Sequence, residues 1–134
     1  MRVVVDANAI VQACIEAAGL GRLVSHQLAA PPIMASETVS TLREMAFRGD
    51  LSPELARIAL DRFQALAYEV VQPPGLWQAA WDLSEQLGWA KTYDAEYVAL
   101  ARLLDCPLVT LDARLARGAS HIATIIGPAE VPAQ

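Results

Sequence analysis

Asp6, Glu37, Asp94 and Asp112 are the residues whose type and setting could do chemistry together. Asp6 ends the β-branched run Arg2-Val3-Val4-Val5, which reads as a buried strand. Asp112 ends a second short apolar run, Leu108-Val109-Thr110-Leu111, which reads the same way. Glu37 and Asp94 fall instead in the first turns of predicted helices. In a parallel α/β unit, strands and helices run in opposite directions. Strand ends and helix starts therefore share one edge of the sheet, where such sheets place their sites. The sequence predicts all four carboxylates at that edge, with Asp94 and Asp112 as neighbours. Taken singly, each has an ordinary explanation as a helix-dipole complement or a turn residue. Crowded together they repel, and must take up protons or separate unless a cation compensates. Oxygen ligands of this kind suit Mg²⁺ or Mn²⁺, hard ions that bridge to phosphate and keep water. The chemistry such a set supplies is metal-assisted phosphodiester hydrolysis.

The elements that must position these acids follow from periodicity and punctuation. Tyr93, Tyr97, Leu100 and Leu104 recur at helical spacing, with Thr92 placed as a cap and Pro107 barring continuation. Ala7 to Ile15 reads as a helix, and Leu20–Leu28 as a second, short one ended by Pro31-Pro32. Ile33-Met34-Ala35 is expected as a short strand, with Ser36 capping a helix that carries Val39, Leu42 and Ala46 and stops at Gly49. Ser52-Pro53-Glu54 opens another helix, running to about Ala67. Tyr68–Val71 reads as a strand, Pro73-Pro74-Gly75 as a turn and Leu76–Leu87 as a helix. Ala113–Arg117 is expected as a short helix stopped by Gly118, and Ile122–Ile126 as a last strand. This alternation predicts a three-layer α/β/α sandwich around a mainly parallel central sheet, built from residues 1–134 as one domain.

Composition narrows the function classes. No apolar run approaches the roughly 18 residues of a membrane span, so a soluble, cytoplasmic protein is expected. Cys14 and Cys106 are far apart and form no CxxC, which suggests small core residues rather than a disulfide or zinc site. A net charge of -5 excludes a protein that holds nucleic acid by bulk charge alone, though not one that reaches phosphate through bound cations. Hydrophobic residues make up 54% of the chain, enough to hint at a subunit or partner surface besides the core. His26 and His121 lie in no motif and read as surface or core residues. Trp77, Trp81 and Trp89 read as core or interface residues before base-stacking platforms.

The sequence resembles the PIN-domain ribonucleases, and within them the VapC-type toxins of toxin–antitoxin pairs. The resemblance rests on V-V-V-D-A-N at 3–8, P-x-x-x-x-E at Pro32–Glu37 and Y-D-A-x-Y-V-A-L-A at 93–101. P-L-V-T-x-D at 107–112 and R-L-A-R at 114–117 extend it, while residues from about 50 to 90 are nearly silent. Carried over by position, Asp6, Glu37, Asp94 and Asp112 match the family's metal-binding acids, and Asn8 and Thr110 match polar residues that support the site. Glu96 is a further acid that could add a ligand or face solvent, helical spacing turning it about 200° away from Asp94.

The resemblance implies a Mg²⁺- or Mn²⁺-dependent endoribonuclease in which water, activated by one or two ions among the four acids, attacks phosphorus in line. It implies single-stranded loops of structured RNA, such as transfer or ribosomal RNA, as substrate. Lys91, Arg114 and Arg117 flank the acids and are the candidate phosphate contacts. A homodimer is also implied, as is a cognate antitoxin with a basic C-terminal segment. Two alternatives stay open: a PIN-fold nuclease outside a toxin–antitoxin pair, and a non-catalytic PIN-like binding module. A haloacid-dehalogenase-type phosphatase would need D-x-D at Asp6, and Asn8 stands where its second Asp should be.

Overall fold

The computed structural model describes residues 1–132. Val3, Val4 and Val5 are fully buried in the first strand, β1 (Arg2–Val5), which forms the centre of a sheet. It pairs on one side with β2 (Gln27–Ala30) and on the other with β4 (Leu108–Val109). The edge strands are β3 (Glu69–Val70), beside β2, and β5 (Ile125–Ile126), beside β4. Every pairing is parallel and the order is β3-β2-β1-β4-β5. The chain thus winds outward from β1 to β3, then crosses back to β4 and winds the other way. Between β1 and β4 lies the switch point, where open parallel sheets leave a crevice at their carboxyl ends.

Right-handed crossovers send the connecting helices to opposite faces according to that direction of winding. On one face α1 (Ala7–Glu16) packs with α2 (Ala18–Leu23), α3 (Ile33–Arg48) and α4 (Pro53–Ala65). On the other, α5 (Leu76–Leu87) pairs closely with α6 (Tyr93–Leu104), and α6 lies over β1 and β4. The last helix, α7 (Ala113–Ala119), joins β4 to β5. The three-layer sandwich expected from the sequence is therefore the observed architecture. Both cysteines are free, Cys14 buried and Cys106 partly so.

Several local expectations differ from the structure. The stretch Leu20–Leu28 is not one helix: α2 ends at Leu23 and β2 begins at Gln27. Leu28, Ala29 and Ala30 have no strong strand preference, and pairing with β1 and β3 on both sides decides their conformation. Ile33–Ala35 is not a strand but the first turn of α3, so Ser36 does not cap it and Glu37 lies one turn further in. Pro31-Pro32 leads into this helix rather than merely stopping one. Thr92 occupies the cap position of α6 without a side-chain bond, and α7 runs through Gly118. A Cβ on Gly118 would meet Trp89 Cζ2 at 3.3 Å, so this glycine admits the indole rather than ending the helix. Ser52 and Gly49 act as expected, one capping Leu55 N–H at 3.1 Å and the other closing α3 at φ 81°.

The last turn of α1 carries no basic residue. Arg62 of α4 supplies the missing cation, its Nη1 donating to the carbonyls of Cys14 at 2.8 Å and Ile15 at 3.3 Å. These carbonyls are among those a helix leaves unpaired at its C-terminus, where positive charge is favoured. Arg62→Met, which keeps the stem and removes the guanidinium, should lower stability by about 1–2 kcal/mol in urea unfolding. A change near zero would mean that solvent serves those carbonyls equally well.

Candidate active site

The switch point collects acidic side chains from four separate elements. Asp6 follows β1 directly and is held there by its own backbone, whose N–H donates to the Val109 carbonyl at 3.2 Å. Its carboxylate is 4% exposed and has two partners. Oδ1 accepts the Ala9 N–H at 2.9 Å, so Asp6 is the N-cap of α1, and Oδ2 accepts the Thr110 hydroxyl. Thr110 follows β4, and its N–H reaches the Ile126 carbonyl at 3.1 Å. Its Oγ1 also accepts the Asp112 N–H at 2.9 Å. Asp112 in turn caps α7, accepting the N–H groups of Arg114 at 2.9 Å and Leu115 at 3.2 Å on Oδ1. One hydroxyl thereby ties the end of β1 to the residue that starts α7.

Glu37 arrives from α3 and Asp94 from the first turn of α6, on opposite faces of the sheet. The Glu37 carboxylate accepts the Tyr97 hydroxyl at 2.5 Å. Glu96 does not face solvent. It is 9% exposed, with the Glu37 carboxylate and the Trp77 side chain acting on it. The remaining sequence candidates are placed as follows. Asn8 stands exposed in the first turn of α1, Lys91 is exposed just before α6, and Arg114 and Arg117 are exposed on α7. Arg114 acts electrostatically on Asp94. Trp77 and Trp81 are exposed on α5 rather than in the core, and Trp89 is half-buried.

Proton affinities record how these acids sense one another. Burial pushes Asp6 up to about 6; the bonds from Thr110 and Ala9 oppose the rise, and Asp94 and Asp112 add to it. Asp94 is raised by burial and by Asp112, with Arg114 pulling the other way. Glu37 is raised by burial and by Asp94 against the Tyr97 hydrogen bond, and Glu96 by burial and by Glu37. Each carboxylate is therefore within electrostatic reach of another. Among the described residues, no three His, Cys, Asp or Glu side chains converge at the spacing of metal ligands. The donor chemistry itself fits a hard divalent cation, being carboxylate oxygen on fixed elements with repulsion left to neutralise.

Comparison with known proteins agrees with the fold. A family model described as the PIN domain matches residues 3–120. Ribonuclease VapC9 of Mycobacterium tuberculosis is 37% identical over 114 residues, spanning 84% of this chain and 87% of that protein. Among solved structures, PAE2754 from Pyrobaculum aerophilum superposes with a TM-score of 0.74 at 22% identity, covering 96% of this chain and 93% of that one. VapBC2 from Rickettsia felis, bound to a DNA fragment from their promoter, gives 0.63 at 17% identity over 95% and 98%. The chain belongs to the PIN-domain family. Within it, the similarity is to proteins named as VapC ribonucleases.

Tyr97 and the buried setting of Glu96 escaped the sequence reading. The available signal was a tyrosine at a core position of α6, because a buried hydroxyl needs a partner.

The raised pKa of Asp6 has a consequence for stability. The folded chain holds this proton up to about 6, while the unfolded chain releases it near 3.8. Burial of Asp6 therefore opposes folding progressively as pH rises through that window, and the full cost is present above it. In EDTA, wild-type stability should fall relative to Asp6→Asn between about pH 4 and pH 7, by on the order of 2–3 kcal/mol. Urea unfolding across that range makes the comparison, and a pH-independent difference would contradict it.

Proposed function

We propose that this chain is a Mg²⁺- or Mn²⁺-dependent endoribonuclease acting as the toxin of a toxin–antitoxin pair. The observation that supports the reading is the electrostatic coupling among Asp6, Glu37, Asp94 and Asp112, which adds to burial in raising the first three. The named VapC ribonucleases at 37% identity support it. These four residues would hold the cation, with Glu96 behind Glu37. A bound Mg²⁺ or Mn²⁺ supplies Lewis acidity at the phosphate and a water acidic enough to be the nucleophile.

The chain's own groups do the rest. Thr110 fixes the Asp6 carboxylate and, through the Asp112 N–H, the start of α7. Arg114 and Arg117 on α7, together with Lys91, contact phosphates on either side of the scissile bond. Asn8, exposed next to Ala7, offers an amide to the bound substrate from the first turn of α1. The substrate is a single-stranded loop in structured RNA, such as transfer or ribosomal RNA.

The chain also pairs with a second copy of itself and with a cognate antitoxin whose basic C-terminal segment meets the acidic edge. Exposed apolar side chains support partner contacts of this kind: Phe47 at 80% on α3, and Trp77 and Trp81 at 66% and 60% on α5. None of the described helices is long and apolar enough to cross a membrane. The setting proposed is the cytoplasm, where RNA and antitoxin are both available.

Single replacements test the site. Asp6→Ala, Glu37→Ala, Asp94→Ala and Asp112→Ala should each lower RNA cleavage by roughly a hundredfold or more. Glu85→Ala, exposed on α5, should leave it unchanged. Near-normal cleavage by two or more of the four would mean that the site is wrongly drawn. Cleavage should also stop in EDTA and return with Mg²⁺ or Mn²⁺ but not Ca²⁺, whose larger radius and looser coordination misplace the water. Running Asp94→Ala in parallel controls for contaminating nuclease.

A further inference from the structure

Tyr97 lies on α6 one turn after Asp94, and it is 2% exposed. Glu37 comes from α3, in the opposite helical layer. The Tyr97 hydroxyl closes the distance between the layers by donating to Glu37 Oε1 at 2.5 Å. Ala7, the first residue of α1 and immediate neighbour of Asp6, lies near enough for its backbone N–H to act on the hydroxyl oxygen.

The bond matters because of what Glu37 would do without it. A glutamate has three side-chain torsions and pays rotamer entropy to be held in one place. Glu37 is only half-buried, with Asp94 on one side and Glu96 on another. Repulsion from both would swing a free carboxylate outwards to water, away from the other acids. Asp6 and Asp112 are held by the caps of α1 and α7, whereas Glu37 lies within α3 and has no cap to hold it. Tyr97 supplies the restraint that the helix end supplies for the others.

We infer that Tyr97 is a positioning residue whose hydroxyl clamps the Glu37 carboxylate among the acids so that a divalent cation meets a ligand already in place. This rests on the cation-dependent reading given above. The ring is buried, so Tyr97 acts through Glu37 and does not touch RNA.

The test compares wild type with Tyr97→Phe, which removes the hydroxyl and keeps the ring, and with Tyr68→Phe as control. Tyr68 stacks on Phe63, away from the acids. The Mn²⁺ midpoint for thermal stabilisation of the protein alone should rise roughly three- to tenfold in Tyr97→Phe and stay put in Tyr68→Phe. At saturating Mn²⁺, kcat for RNA should fall several-fold while KM changes less than about twofold. A Tyr97→Phe protein with the wild-type Mn²⁺ midpoint, even if it melts lower, would overturn the assignment and leave the nuclease reading standing. A wild type that neither cleaves RNA nor responds to Mn²⁺ would overturn both. Should Tyr97→Phe not fold, proton NMR of the wild type decides. A slowly exchanging tyrosyl hydroxyl resonance should be present and should vanish in Glu37→Ala; its absence in the wild type would sink the clamp.

Discussion

A parallel sheet sends the carboxyl ends of its strands, and the amino ends of the helices that follow them, to one edge. Three helix N-termini meet there in this chain, and each brings acids with it. Asp6 caps α1, Asp112 caps α7, and Asp94 and Glu96 occupy the first turn of α6. A helix N-terminus carries roughly half a positive charge, so each of these acids has a favourable reason to be where it is. Their sum does not. Three partial positive charges fall short of the negative charge that five carboxylates, with Glu37, would carry. Burial first, and this crowding second, raise the proton affinities of Asp6, Glu37, Asp94 and Glu96. Local capping chemistry and the crowding of the edge thus pull in opposite directions, a conflict that the proposed cation would relieve.

The tether between Asp6 and Thr110 is what keeps the edge from relaxing. Thr110 uses its hydroxyl twice, as donor to Asp6 and as acceptor from the Asp112 N–H. The two inner strands are already registered, Val4 against Leu108 and Val5 against Val109. A shift of Asp6 away from its acidic neighbours would therefore cost a buried hydrogen bond and the cap of α1 together. Asp6 thus stays within electrostatic reach of Asp94 and Asp112 despite their repulsion.

The parts of this arrangement that local chemistry dictates were legible in the sequence. Asp6 ends an apolar run that is a buried strand, and α5 has the bounds its periodicity predicts, whereas the run before Asp112 is strand only over Leu108–Val109 and Leu111 is half exposed. What failed was decided by tertiary contact. Ala29 and Ala30 carry helix-forming side chains but sit between two strands. Glu37 was assigned to the right edge through a wrong boundary, because Pro32 reads as a stop and serves as a start. The Tyr97–Glu37 bond joins residues 60 apart on helices of different layers, and no spacing rule reaches that far. Glu96 was turned to solvent by its angle on α6, which is correct for an isolated helix. It is incorrect here because α5 packs along that flank and brings Trp77 over it.

The last point explains how α6 can carry two acids in its first turn on different sides. Asp94 faces Asp112 and Arg114, whereas Glu96 faces Glu37 and Trp77. The start of α6 therefore projects into the edge like a wedge, with acidic neighbours on both flanks. Asp94 has a cation beside it and solvent above it. Glu96 has neither, being buried under an indole whose hydrogen bond offsets only part of the cost. Burial first, and then the Glu37 carboxylate, raise the Glu96 pKa, while the Trp77 hydrogen bond lowers it. The first turn of α6 thus couples electrostatically to the acid that caps α7 through Asp94 and to the acid of α3 through Glu96.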